Sequence, residues 1–140
     1  FDVIFTETLA HLEKLLLIEV KGDRIVLSRE PFARPRLVFL AEMLRDYLES
    51  YWVAAVTAQT LAKASGDRKE LLKRAMEKGK AAYLSGEIEA SEAVSRTTLE
   101  NAIQFLIEQG YLTEAQKNLT LGTPRQGELA QQIRSFLSET

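Results

Sequence analysis

The fold of this chain is decided by residues 36–63, which read RLVFLAEMLRDYLESYWVAAVTAQTLAK and contain neither Pro nor Gly. Apolar residues recur in this stretch at steps of three and four, which is the spacing of one helical face. The stretch therefore predicts one long helix of roughly 40 Å, at about 1.5 Å per residue. Because apolar side chains occupy more than one of its faces, we expect this helix to lie at the centre of a bundle.

The sequence on either side of this segment predicts shorter helices and two small hairpins. Leucines at helical spacing indicate the helices, and turn residues between β-branched runs indicate the hairpins. The expected elements are a helix at 6–17, a hairpin at 17–27, helices at 68–84 and 95–109, a hairpin at 111–121 and a terminal helix that starts at Thr123 and Pro124. The predicted fold class is mainly α: a helical bundle around one long helix, with small β-hairpins and a winged-helix-like C-terminal unit.

Residues that favour helix ends support these boundaries. Asp67, Ser91 and Ser95 are candidate N-caps, because their side-chain oxygens can accept a hydrogen bond from the first helical turn. Gly86 and Gly110 follow the last turns of two helices, where a left-handed residue is preferred. The caps therefore predict a second and a third helix after the long one.

The pattern divides the chain into three parts. Residues 1–30 are expected to form a helix plus hairpin, residues 31–86 a long helical hairpin, and residues 87–140 a winged-helix-like unit. At 140 residues the three parts fit one compact domain. Since the sequence starts at Phe1 and shows no signal peptide, we interpret it as a piece cut from a longer chain.

Composition excludes several kinds of chemistry. The chain has no Cys and a single His, His11, which excludes thiol catalysis, disulfides, and metal sites made of cysteines or several histidines. No Ser or Thr has a visible base beside it, and the glycines form no phosphate-binding loop. We therefore predict no catalytic residue, metal or cofactor in this chain.

Charge is balanced over the whole chain but not along it. Lys plus Arg number 18 against 20 Asp plus Glu, which gives a net charge of −2. Residues 87–114 contain six Glu and one Arg, on the segment that would present a recognition helix to DNA. Because phosphate contacts need Lys and Arg on the presented face, this charge disfavours nucleic acid as a partner.

Positive charge is concentrated in two other stretches. Residues 63–80 hold seven Lys or Arg against three acidic residues, and residues 29–36 hold three Arg against one Glu. The candidate contacts for anionic lipid headgroups or a phosphate are Arg34, Arg36, Lys69, Lys73 and Arg74. The alternative is a helix surface solubilised by charge pairs four residues apart, such as Glu70 with Arg74.

The stretch 32–112 resembles the C-terminal region of the glycerol-3-phosphate and dihydroxyacetone-phosphate acyltransferases. Three blocks carry the resemblance in matching order: FLAEMLRDYLESYWV at 39–53, AYLSGEI at 82–88 and EAVSRTTLENAIQFL at 92–106. The resemblance implies a parent enzyme of phospholipid biosynthesis. That enzyme would transfer an acyl group from acyl-CoA or acyl carrier protein to a glycerol-phosphate hydroxyl at a membrane.

The catalytic motif of that family, His-x-x-x-x-Asp, is absent from this chain. His11 has Leu16 instead of Asp at the required distance, so we expect the fragment to be inactive alone. The resemblance thus implies a non-catalytic C-terminal region. It would brace the catalytic domain of the same parent chain, or lie against an anionic membrane surface, as a peripheral protein on the cytoplasmic side. The alternatives are a winged-helix transcription regulator and a protein-interaction module.

Overall fold

Helices dominate the architecture. The computed structural model describes residues 2–62, 66–116, 118–122 and 126–139. Within these residues it contains six α-helices, two short 3-10 turns and two antiparallel two-stranded hairpins. The expected class, mainly α with small hairpins, is confirmed. The contacts divide the chain into two units, Phe1–Met43 (unit 1) and Leu44–Thr140 (unit 2).

Unit 1 is a helix, a hairpin and a second helix. Its elements are α1 (Asp2–Lys14), β1 (Ile18–Lys21), β2 (Arg24–Leu27) and α2 (Ala33–Met43). Gly22 turns the chain between the strands with φ +64°, a conformation that glycine adopts without a steric penalty. The hairpin lies where the sequence predicts it, in a register that pairs Ile18 with Leu27.

The first helix ends earlier than the expected residue 17. Leu16 adopts the left-handed conformation with φ +59°. The amide of Leu17 donates to the carbonyl of Leu12 at 3.1 Å, and that of Leu16 to Glu13 at 3.0 Å. This hydrogen-bond pattern is a Schellman ending, which usually carries Gly at the left-handed position. Because a leucine stands there, nothing in the local sequence predicts the end of the helix.

Unit 2 is built around one helix. Its elements are α3 (Arg45–Ala58), a 3-10 turn (Gln59–Ala62), α4 (Arg68–Ser85), a 3-10 turn (Ser91–Val94), α5 (Arg96–Glu108), β3 (Leu112–Ala115), β4 (Asn118–Leu121) and α6 (Gln126–Glu139). Helix α3 packs against α4, α5 and α6. Its Val53 and Ala54 are buried in different core clusters, so it is apolar on more than one side, as expected. Each fully buried Leu of these clusters contributes about 1.5–3 kcal/mol.

The long helix expected over residues 36–63 is divided, so this prediction is wrong in its continuity. Helix α2 ends at Met43 and α3 begins at Arg45, while Leu44 between them has φ −95° and ψ −3°. That ψ is far from the value of about −42° in a regular α-helix. Neither Pro nor Gly marks the position, and the apolar period continues through it. The expected end near Lys63 lies outside the described residues.

The predicted helix caps are confirmed except for one. The Asp67 side chain accepts from the amide of Glu70 at 2.8 Å, and Ser95 Oγ accepts from the amide of Thr98 at 3.1 Å. Gly86 ends α4 in the left-handed conformation with φ +81°. Ser91 is not a cap. It is the first residue of a 3-10 turn.

The C-terminal part of unit 2 follows the expected order of helix, hairpin and helix. Strands β3 and β4 pair antiparallel, with Leu112 opposite Leu121. The expected start of the last helix at Thr123 and Pro124 lies outside the described residues. The winged-helix character of this part stays a prediction. Among the helices that the structure describes, none is long and apolar enough to cross a bilayer.

Candidate functional site

The five predicted anion contacts are distributed over both units. Arg34 and Arg36 lie on α2 of unit 1, where they are exposed. The Arg36 guanidinium carbon lies 4.8 Å from the ring centroid of Phe32, a cation–π contact that holds the side chain close to α2. Lys69 and Lys73 are exposed on α4 of unit 2.

Arg74, the fifth predicted contact, lies on a different side of α4 from its neighbour Lys73. Its Nε is 3.3 Å from Oε1 of Glu70, so the charge pair considered from the sequence is present. Arg74 also lines a shallow hollow together with Val56 of α3. The helical rotation of about 100° per residue explains why two adjacent cations face different surroundings.

Lys69 and Lys73 belong to a larger groove between α4 and α5. Two adjoining hollows, of about 490 and 330 Å³, share Lys69, Leu72 and Arg96. We call them together the basic groove. Its principal lining residues are Lys69, Leu72, Lys73, Met76 and Lys80 of α4, with Arg96 and Ile103 of α5. Sequence reasoning missed Arg96 because it joins the site through the packing of α5 on α4. It also missed Lys80, although the helical spacing of α4 was the available signal.

The basic groove has both paired and unpaired cations. Arg68 Nε lies 2.6 Å from Oε2 of Glu114, and Arg96 Nε lies 2.8 Å from Oε1 of Glu100. Among the described residues, no carboxylate lies within ion-pair distance of the Lys69, Lys73 or Lys80 ammonium groups. These three lysines are therefore the cations of the groove that an external anion could neutralise.

A buried carboxylate holds α3 to the segment after α4. Glu49 is 1% exposed. Its Oε1 accepts from the amide of Glu89 at 3.0 Å, and its Oε2 accepts from the amide of Ala90 at 2.8 Å. Arg45 Nη1 lies 3.7 Å from the same carboxylate. Sequence analysis did not identify this role of Glu49. The available signal was an acidic residue that stands among apolar residues in a predicted helix.

A second contact fixes α6 beside the same segment. Arg134 of α6 donates from Nη1 to the carbonyl of Glu87, and its guanidinium carbon lies 5.0 Å from the ring centroid of Trp52. Lys78 Nζ lies 5.8 Å from that ring. Both contacts are structural, because each cation meets an indole or a carbonyl that is already part of the fold.

His11 and the acidic residues are the groups of this chain that could serve acid–base chemistry or bind a metal. His11 is exposed on α1. Within the described ranges, no three His, Asp or Glu side chains cluster as a metal site would require. The arrangement that the structure provides is a groove rimmed by lysines beside the helical core of unit 2.

The sequence matches the family described as glycerol-3-phosphate acyltransferase C-terminal region over residues 1–115. This chain belongs to that family. Among curated proteins, no significant match is found. The resemblance that the three sequence blocks indicate is therefore confirmed at the level of the family.

The family match covers most, but not all, of the elements of the fold. It covers all of unit 1 and the part of unit 2 that ends with β3, while β4 and α6 lie beyond the matched residues. Glu49 lies in the first of the three blocks, and the two amides that it binds lie between the second and third. In this acyltransferase region, the buried carboxylate thus joins the first block to the short segment between the second and third blocks.

Proposed function

We propose that this chain is the non-catalytic C-terminal region of a glycerol-3-phosphate O-acyltransferase of phospholipid biosynthesis, and that unit 1 braces the catalytic domain of the same parent chain. The family match supports the type of parent enzyme. The observation that carries the bracing role is the apolar surface of unit 1.

Unit 1 exposes many large apolar side chains and buries few. Ile4 of α1 is 70% exposed and Phe39 of α2 is 62% exposed. In the hairpin, Ile25, Val26 and Leu27 are all exposed, although consecutive strand residues point to opposite faces. A two-stranded hairpin of this kind is at best marginally stable by itself, and exposed apolar surface of this extent indicates a protein or membrane contact.

The catalytic domain is the partner that fits this surface. A unit of 43 residues with so few buried apolar residues cannot supply its own hydrophobic core. A C-terminal region also has the rest of its parent chain as a permanent neighbour. Packing unit 1 against that neighbour would bury apolar side chains of α1 and of the hairpin that are now exposed.

Binding to the separately purified catalytic domain tests this role. Ile25→Asp in the 140-residue chain is expected to weaken binding at least tenfold, because it places a charge in the buried interface. Leu84→Asp is the matched control, since Leu84 is 85% exposed in unit 2 and is expected to leave binding unchanged. Equal effects of both variants, or no binding by the unmodified chain, would contradict the proposal.

The non-catalytic role has a direct test of its own. The 140-residue chain is mixed with glycerol-3-phosphate and either acyl-CoA or acyl carrier protein loaded with an acyl chain. No acylated product is expected, because the chain lacks the family's His-x-x-x-x-Asp motif. Turnover by the purified chain would refute this part of the proposal.

A peripheral contact with an anionic membrane, on the cytoplasmic side, is the second candidate role. Helix α2 supports it, because the exposed Arg34 and Arg36 are followed by the exposed Val38, Phe39 and Met43. Cations beside exposed apolar side chains are typical of helices that lie in a lipid interface. Exchange of both arginines for Glu is expected to reduce sedimentation with phosphatidylserine vesicles. Unchanged sedimentation would remove this candidate.

A nucleic-acid-binding function has less support. Arg96 is the single cation in the sequence of α5, and it is paired with Glu100 at 2.8 Å. A recognition helix needs cations that are available to phosphates. The transcription-regulator alternative would require tight, salt-sensitive binding to duplex DNA in a gel-shift titration.

A further inference from the structure

Three lysines follow one side of α4 along the basic groove. Lys69, Lys73 and Lys80 stand at positions i, i+4 and i+11, which share one helical face. They extend over about 16 Å of the helix at 1.5 Å per residue. Lys69 and Lys73 repel each other. Glu77 also lines this side of the groove, but among the described residues no carboxylate lies within ion-pair distance of the three lysines. The row of charge therefore suits an anionic ligand of similar length.

The floor of the basic groove is apolar and lies below this rim. Leu72 and Met76 are half-buried on α4, and Ile103 of α5 is buried. Arg96 of α5 also lines the groove. A ligand that fills the groove thus meets apolar side chains in the middle and cations at the edge.

We propose that the basic groove binds an acidic amphipathic helix of a partner protein. Carboxylates spaced along such a helix would face the lysines, and its apolar side would cover Leu72 and Met76. Three helical turns extend over about 16 Å, which matches the lysine row. The inference goes beyond the proposed function of unit 1, and it uses Lys69 and Lys73, which sequence analysis gave as candidate contacts for an anion.

The shape and charge of the groove favour a helix over a phosphate or a lipid surface. A single phosphate is held by donors that converge on one point, whereas these lysines are spread along a line. A bilayer is penetrated by apolar side chains that project outward, whereas Leu72 and Met76 are half-buried on α4, in a hollow that Arg96 of α5 also lines.

The test uses the 140-residue chain and a synthetic amphipathic peptide of about 14 residues, with Glu at i, i+4 and i+11 and Leu on the same side between them. Fluorescence anisotropy of the labelled peptide measures binding. We expect binding that weakens several-fold as NaCl is raised from about 50 to about 200 mM. A peptide with Lys in place of Glu is expected not to bind. Absence of binding by the Glu peptide would overturn the proposal.

Two adjacent charge reversals supply the specificity control. Lys73→Glu is expected to weaken peptide binding about five- to tenfold, because it replaces an attraction by a repulsion. Arg74→Glu makes the same change of charge outside the groove and is expected to have less than about a twofold effect. Each variant puts two Glu four residues apart, with Glu77 and Glu70 respectively. Arg74→Glu also removes the ion pair with Glu70, so a smaller loss of peptide binding in this variant cannot come from a smaller disturbance of α4. Equal losses in both variants would contradict the groove assignment.

Two further measurements separate this proposal from its alternatives. If Lys73→Glu lowers binding to phosphatidylserine vesicles while the acidic peptide does not bind, the ligand is lipid and the proposal is wrong. Lys73→Glu is also expected to leave binding to the catalytic domain unchanged, since that contact is assigned to unit 1. The groove proposal can thus fail while the bracing role stands, and the reverse also holds.

Discussion

Removal of the Glu49 carboxylate is expected to destabilise unit 2 more than any exposed substitution. The carboxylate is buried and accepts hydrogen bonds from the amides of Glu89 and Ala90, at 3.0 and 2.8 Å. Neither amide belongs to an α-helix or a strand of the structure. In Glu49→Ala, both amides lose the acceptor that the fold provides for them.

The magnitude follows from the cost of unsatisfied buried groups. Leaving one buried amide without an acceptor costs about 1–3 kcal/mol. The amides of Glu89 and Ala90 are only partly buried, so the lower part of that range applies to each, and Glu49→Ala should lower the free energy of unfolding by about 2–4 kcal/mol. Glu49→Gln keeps one carbonyl oxygen but turns an NH₂ group toward the other amide. It should therefore cost about 1–3 kcal/mol, intermediate between Ala and the native residue.

Urea unfolding followed by tryptophan fluorescence measures this effect. Trp52 is the single tryptophan of the chain and is buried in the same unit as Glu49, so its signal reports on unit 2. Glu89→Gln is the control. That side chain is 75% exposed and pairs with Arg45 at 3.5 Å, so its loss should cost less than about 1 kcal/mol.

Two results would refute the stabilising role assigned to the hydrogen bonds of Glu49. If Glu49→Gln unfolds within about 0.5 kcal/mol of the unmodified chain, the two amide hydrogen bonds do not provide the stability assigned to them. If Glu89→Gln costs as much as Glu49→Ala, the exposed ion pair with Arg45 is the source of the effect, and the buried hydrogen bonds are not.

Three further substitutions test the packing and caps of unit 2. Gly79→Ala should destabilise by about 1–3 kcal/mol in urea unfolding, because an added Cβ would lie 2.9 Å from a methyl of Val94; a stabilised variant would show that helix propensity outweighs this clash. Ser95→Ala should cost about 1 kcal/mol by the same assay, since it removes the acceptor for the Thr98 amide, and an unchanged midpoint would argue against this cap. Arg134→Ala should shift the tryptophan emission and lower stability by about 1–2 kcal/mol, because the guanidinium covers the indole ring; identical emission spectra would contradict that contact.

Local features of the fold were predictable because they depend on residues close together in sequence. The caps at Asp67 and Ser95 need an oxygen and an amide three residues apart. The end of α4 at Gly86 needs a residue that tolerates positive φ. The two hairpins follow from turn residues between apolar runs. In each case the residues that decide the feature are close together in sequence, within one turn for the caps and within one hairpin for the strands.

The break at Leu44 and the end of α1 at Leu16 were not predictable in this way. Both positions hold a leucine, which local preference would keep in a helix. Leu16 adopts a left-handed conformation in spite of its steric cost. Such positions are recognisable only when the backbone is seen, because the sequence shows no Gly or Pro there.

The candidate site also has one part that the sequence predicts and another part that depends on tertiary structure. The sequence by itself determined that α4 is strongly basic and which of its lysines share a face, because helical geometry fixes the angle between neighbouring side chains. Tertiary structure decided that Lys69 and Lys73 meet Arg96 in one groove, and that Glu49 binds amides 40 and 41 residues away. These contacts depend on how one helix packs on another, and many distant pairings are compatible with the same local pattern until the core is formed.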